Sequence, residues 1–154
     1  MATFVKASDI LSIAVEIERR GNDFYRTLAD RAESDTHKAF FIQMASEEKV
    51  HESIFSAMLQ RVGGTDIPQG ATGEEYMHYV SDIIDSHCLF SADQAALATA
   101  SPIAQAMQLE KDTLLYFLAM ESMVPESEQH HVRACAEEER KHLHRLSVLR
   151  NQTK

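Results

Sequence analysis

The segment Ala45-Ser46-Glu47-Glu48-Lys49-Val50-His51 returns near the other end of the chain as Ala136-Glu137-Glu138-Glu139-Arg140-Lys141-His142. Each copy sets a glutamate three residues before a histidine, with a basic residue directly after that glutamate. An upstream stretch repeats with it. Ala14-Val15-Glu16-Ile17-Glu18-Arg19 leads to Phe24-Tyr25, and Ala106-Met107-Gln108-Leu109-Glu110-Lys111 leads to Tyr116-Phe117. The offset is 92 residues from Glu18 to Glu110 and 91 from Glu48 to Glu139. Such a pattern is a duplicated helix pair, with one glutamate on the first helix and Glu-x-x-His on the second.

The rest of the composition agrees with helices. Only 5 Gly and 3 Pro among 154 residues leave little room for a turn-rich β fold, and Ala, Leu, Glu and Met favour helix. With 44% hydrophobic and 25% charged residues, residues 1–154 read as one globular domain able to bury a core. A formal charge of −9 argues against a nucleic-acid surface, which needs a basic face. Cys88 and Cys135 form no CxxC motif and suit a reducing cytosol. The first residues carry no charged leader followed by an apolar core. The uncharged run from Gln94 to Leu109 is too short and polar to span a bilayer. A cytoplasmic protein without membrane or nucleic-acid partners is expected.

Four long helices are expected. The first follows an N-cap at Ser8 and runs to about Ala32, with Leu11, Ala14, Ile17, Gly21, Phe24/Tyr25 and Leu28 at three- and four-residue steps. The second starts near Ser34 or Asp35 and ends before Gly63-Gly64, with Phe41, Met44, Phe55 and Met58 on one stripe. The third opens at Ser101-Pro102, carries Ala106, Leu114, Phe117 and Leu118, and stops around Val124. Pro125 opens the fourth, with Val132, Cys135, Leu143, Leu146 and Leu149. Hairpins 8–62 and 101–150 are thus joined by a long crossover, 63–100, in which Glu74 to Cys88 has the spacing of a short helix. Short, long and short joins predict an all-α antiparallel four-helix bundle from two helical hairpins.

On those helices Glu18, Glu48, His51, Glu110, Glu139 and His142 fall on the apolar stripes. Residues three apart share a helix face, so each Glu-x-x-His offers an oxygen and a nitrogen to one centre. Four carboxylates in one core are untenable without cations, because desolvating each costs several kcal/mol. Two divalent ions balance the four charges, and the histidines bind neutral. Chance alone yields about one Glu-x-x-His in a chain with 15 Glu and 8 His. Glu75/His78 and Glu128/His131 also match but lack the repeat, and read as surface coincidences. His37, His78, His87, His130, His131 and His144 lie mostly off the ligand stripes. Tyr25 and Tyr116 are candidates to hydrogen-bond a ligand carboxylate, against simple aromatic packing. Met44, Met58, Met107 and Met120 read as core filler, and Cys135 as a buried, inert thiol. The two half-sites look nearly symmetric. Carboxylates with two imidazoles and no thiolate suit iron or manganese; zinc is able to substitute in a purified sample.

The pattern, from about residue 8 to 149, resembles the rubrerythrin branch of the ferritin-like di-iron carboxylate proteins. The resemblance implies a ferritin-like bundle in which those six residues ligate two Fe ions, with Glu48 and Glu139 as bridges. It also implies redox chemistry with O2 or H2O2, in oxidative-stress defence or iron handling, with a ferritin-like ferroxidase and storage role as the alternative. There are two departures. No pair of CxxC motifs is present for a rubredoxin module, so an external electron donor is expected, a rubredoxin-like protein or a flavoprotein reductase. Met107 stands where many relatives carry an extra glutamate, the carboxylate associated with metal movement and peroxide reduction. A homodimer is expected from the prevalence of two-fold pairing, through apolar positions on the first helix or residues 74–88.

Overall fold

The computed structural model describes residues 4–91 and 100–153. Among the described residues, five α-helices run in the order α1 (Ala7–Asp30), α2 (Asp35–Val62), α3 (Glu74–Ser86), α4 (Pro102–Met120) and α5 (Glu126–Gln152). The fold is all-α, and among the described residues the one β feature is an isolated bridge between Lys6 and Asp66. Helices α1 and α2 form one hairpin and α4 and α5 the other. α1 also touches α4 and α2 touches α5, so the four long helices close a ring with α3 lying against α4. The part of the crossover between 92 and 99 lies outside the described residues.

Local chemistry sets the ends. Ser34 and Ser101 accept the backbone N–H of His37 and Ala104, each at 3.2 Å, as N-caps do. Pro102 occupies the first turn of α4, where a missing N–H costs nothing. Gly63 ends α2 with φ +50°, a conformation that favours glycine. The start of α1 differs from expectation. Lys6, not Ser8, is the N-cap, because the Asp9 carboxylate accepts the backbone N–H groups of Val5 and Lys6 at 3.1 and 3.0 Å. The other end of α1 is Asp30 rather than Ala32. α4 stops at Met120, and a 3-10 turn over Glu121–Met123 carries the chain to Pro125.

The core is two apolar clusters. One holds Ile10, Leu11, Phe55, Met58, Phe117 and Met120; the other holds Tyr25, Phe41, Met44, Leu109 and Leu146. Along every long helix the changeover between clusters falls at the repeated Glu or Glu-x-x-His. Each large apolar side chain so buried contributes about 1.5–3 kcal/mol, which offsets the polar layer held between them. Two stripe assignments need correction. Leu118 is 47% exposed beside outward-facing Leu115, since its position lies a full 100° around the helix from buried Phe117. Leu143 is only half-buried. α1 carries no exposed large hydrophobic side chain, whereas Tyr79 on α3 is exposed. No helix among the described residues is long and apolar enough to cross a membrane.

Candidate metal centre

Glu18 comes from α1, Glu48 and His51 from α2, Glu110 from α4, and Glu139 and His142 from α5. All six are at most 4% exposed. Their donor atoms form two groups, Glu18, Glu48, His51 and Glu139 in one and Glu48, Glu110, Glu139 and His142 in the other. Within each, the ligand atoms lie within 4.8 Å of one another. Glu48 and Glu139 belong to both. Nδ1 of His51 is 3.5 Å from Glu18, 3.4 Å from Glu48 and 2.9 Å from Glu139. Nδ1 of His142 is 3.8 Å from Glu48, 3.5 Å from Glu110 and 3.4 Å from Glu139. The two imidazoles stack at 5.8 Å between centroids.

These atoms converge without being aligned as hydrogen bonds. Both oxygens of Glu18 and of Glu139, one each of Glu48 and Glu110, and Nδ1 of both histidines are buried without a hydrogen-bond partner. Among the described residues, no other buried side-chain nitrogen or oxygen is left in that state. Native interiors satisfy nearly all such atoms, so a set of orphans confined to four glutamates and two histidines fits cations.

The electrostatics says the same. Burial raises Glu139 to about 7, helped by the charge of Glu110. Burial and the Glu48 charge hold Glu18 well above the carboxylate range. Burial alone would lower His142, but the Glu110 and Glu139 carboxylates raise it to about 11. His51 is likewise raised, with Glu139, Glu18 and Glu48 outweighing burial. Without cations the centre must hold protons in place of metal.

Around the centre, Tyr25 donates its hydroxyl to Oε1 of Glu110, as a residue that orients a ligand would. Tyr116 does not; its hydroxyl goes to the backbone carbonyl of Ile10 at 2.7 Å. Sequence reasoning passed over Glu47 and Arg145. Oε2 of Glu47 lies 2.8 Å from Nε2 of His142 and accepts Nη1 of Arg145 at 2.7 Å. Burial raises the Glu47 carboxyl, but Arg145 outweighs it and holds it below its usual range. Their one signal was position, Glu47 beside Glu48 and Arg145 one turn past His142.

The remaining candidates fall outside. Glu75 and His78 are exposed. Glu128 is no surface residue: it is 7% exposed, gripped by Arg61 through bonds of 3.0 and 2.8 Å. His87, Cys88 and Asp112 also approach one another, but their atoms are spent internally. Nδ1 of His87 accepts Leu89 N–H at 3.2 Å, and its Nε2 lies 3.3 Å from the Thr113 hydroxyl. Asp112 accepts Cys88 N–H and the Gln108 amide at 2.9 and 2.8 Å. Burial pushes the Cys135 thiol up to about 12, consistent with an inert cysteine.

The sequence matches the Rubrerythrin family over residues 9–150. The chain belongs to the rubrerythrin family. Its fold is similar to that of a crystallised Thermotoga maritima protein described as ferritin-like and diiron-carboxylate, with a TM-score of 0.70 and 21% identity over 100% of both chains. A search of curated proteins found no match. Family and buried Glu/His cluster together support a dinuclear metal site in this rubrerythrin-family chain.

Proposed function

We propose that this rubrerythrin-family protein holds a di-iron centre and uses it to reduce O2 or H2O2 with electrons from an external donor. The observation that carries this reading is the set of orphaned donor atoms converging on two points that share Glu48 and Glu139. Glu18 and His51 would hold one ion and Glu110 and His142 the other, with Glu48 and Glu139, which belong to both donor groups, shared between them. A bound iron pair supplies one electron from each ion, the two that H2O2 requires, with two protons, to become two molecules of water.

The chain's own side chains have three tasks. The four carboxylates would neutralise the charge of two divalent ions. Tyr25, whose hydroxyl is driven well above its usual range by burial and by the Glu110 charge, keeps its proton on Oη and steadies Glu110. Glu47 would accept the Nε2–H of neutral His142 as a hydrogen bond, which keeps the proton on Nε2 and leaves the Nδ1 lone pair free for an ion.

The test is elemental analysis of anaerobically reconstituted protein, followed by stopped-flow absorbance after mixing the reduced form with each oxidant. Two ions per chain and oxidation well above the rate of free iron are expected. Two ions inert to both oxidants would overturn the redox reading. A shell of many subunits by light scattering would favour iron storage instead.

A further inference from the structure

The repeat that builds the centre is broken just outside it. Under the 91-residue offset, Gln43, Glu47, His142 and Arg145 correspond to Ala134, Glu138, His51 and Ile54. The first set is closed. Glu47 bonds His142 and Arg145 through Oε2 and accepts the Gln43 amide on Oε1 at 3.0 Å. Arg145 also lies over the Phe40 ring at 5.4 Å. The second set is open. Glu138 pairs with Lys141 at 2.6 Å instead, and Nε2 of His51 makes no hydrogen bond among the described residues. Where glutamine and arginine would stand, Ala134 and Ile54 border a cavity of about 280 Å³ between α2 and α5, which reaches His51.

The tyrosine breaks the symmetry in the same direction. Under the 92-residue offset Tyr25 corresponds to Phe117. Glu110 therefore receives a hydroxyl, while Glu18, on the other side, keeps both oxygens unpartnered.

We propose that the two ion positions are unequal: the Glu110/His142 position binds tightly and fills first, while the Glu18/His51 position binds weakly and exchanges through the cavity between α2 and α5. This rests on the dinuclear reading above. A carboxylate behind a histidine fixes its tautomer and ring before the ion arrives, and losing such a partner typically costs 10–100-fold in affinity. His142 has that support and His51 must be ordered by the ion itself. Glu47 and Tyr25 are thus positioning residues for one ion only.

The experiment is an anaerobic titration of the metal-free protein with Co2+, followed by calorimetry and visible absorbance, with circular dichroism confirming each variant's fold. Two steps separated by about tenfold or more are expected. Glu18→Ala should abolish the weaker step. Glu47→Ala should weaken the tighter step by about 10–100-fold, and Glu138→Gln should change neither. Ala134→Gln with Ile54→Arg fills the cavity and offers Glu138 new partners; it should slow exchange of the second ion about tenfold or more. Two ions entering with equal affinity, or Glu47→Ala weakening both steps alike, would overturn the inequality while leaving the dinuclear centre standing. Unchanged exchange in the double variant would overturn the cavity's role. Fewer than two ions at saturation would remove the centre itself.

Discussion

Tyr25 on α1 and Glu110 on α4 are joined by a buried hydrogen bond between residues 85 positions apart. It ties the two hairpins together at the centre, and it aims the Glu110 carboxylate. Tyr116, its near counterpart in the repeat, spends its hydroxyl on the Ile10 carbonyl instead. The two tyrosines should therefore separate cleanly on substitution. Tyr25→Phe is expected to weaken metal binding about tenfold. Tyr116→Phe should cost about 1 kcal/mol of stability and leave metal affinity alone. Thermal melts and Co2+ titrations of both variants check this. Equal effects on affinity would mean that Tyr25 acts only by packing.

Glu128 anchors the start of α5 to the end of α2 through Arg61. The Arg61 hydrogen bonds hold its carboxyl below the ordinary value of 4.5 in spite of burial. A depressed folded value means that the stabilisation is present above about pH 4.5 and lost as pH falls through the folded value. Glu128→Gln should accordingly lower Tm by a few degrees at pH 7, with the deficit closing below pH 4.5. Parallel melts at pH 7 and pH 3.5 decide it. A deficit independent of pH would show that packing, not charge, holds Glu128.

The helical architecture and the six converging side chains were legible because each rests on local spacing. Glu-x-x-His needs only helix geometry, and Ser34, Gly63 and Ser101-Pro102 are chemically suited to the ends they form. What escaped the sequence depends on partners far along the chain. Glu128 looked like a surface residue because its partner, Arg61, is 67 residues away. The inequality of the half-sites escaped because matching ligands suggested symmetry, while the difference lies in Gln43 against Ala134 and Arg145 against Ile54. Leu118 was misplaced because Tyr116, Phe117, Ala119 and Met120 already fill the core-facing arc of that helix, which leaves Leu118 on the outward side with Leu115.

Gly21 sits in the middle of α1 against Glu48. A Cβ there would lie 3.6 Å from Glu48 Cγ and 3.8 Å from its Cδ and Oε1, ordinary van der Waals contact. Nothing in the helix requires glycine, which costs about 1 kcal/mol relative to alanine in a helix interior. Gly21→Ala should thus stabilise the metal-free protein by about 0.5–1 kcal/mol with both ions retained. Chemical denaturation and metal analysis check the two parts. A stabilised protein that binds fewer ions would show that Glu48 needs the empty space to move when it bridges.

The metal-free centre should answer to pH in the opposite sense to the loaded one. His142 is raised to about 11 and Glu139 to about 7, with His51 and Glu18 raised too. All four groups therefore bind protons more firmly folded than unfolded. For the histidines this stabilisation is complete below about pH 6.5 and is lost as pH rises through the folded values. For the two carboxylates it begins to be lost from about pH 4.5 upward. The metal-free protein should consequently lose stability between pH 5 and pH 8. Metal must displace those same protons, so its affinity should rise over that interval, and the Tm increase on adding Co2+ should grow with it. Melts with and without metal at pH 5, 6, 7 and 8 make the comparison, and proton release into a weak buffer during titration confirms the cause. A Co2+-induced rise in Tm that is flat across those pH values would mean that the empty centre holds no protons for the metal to displace.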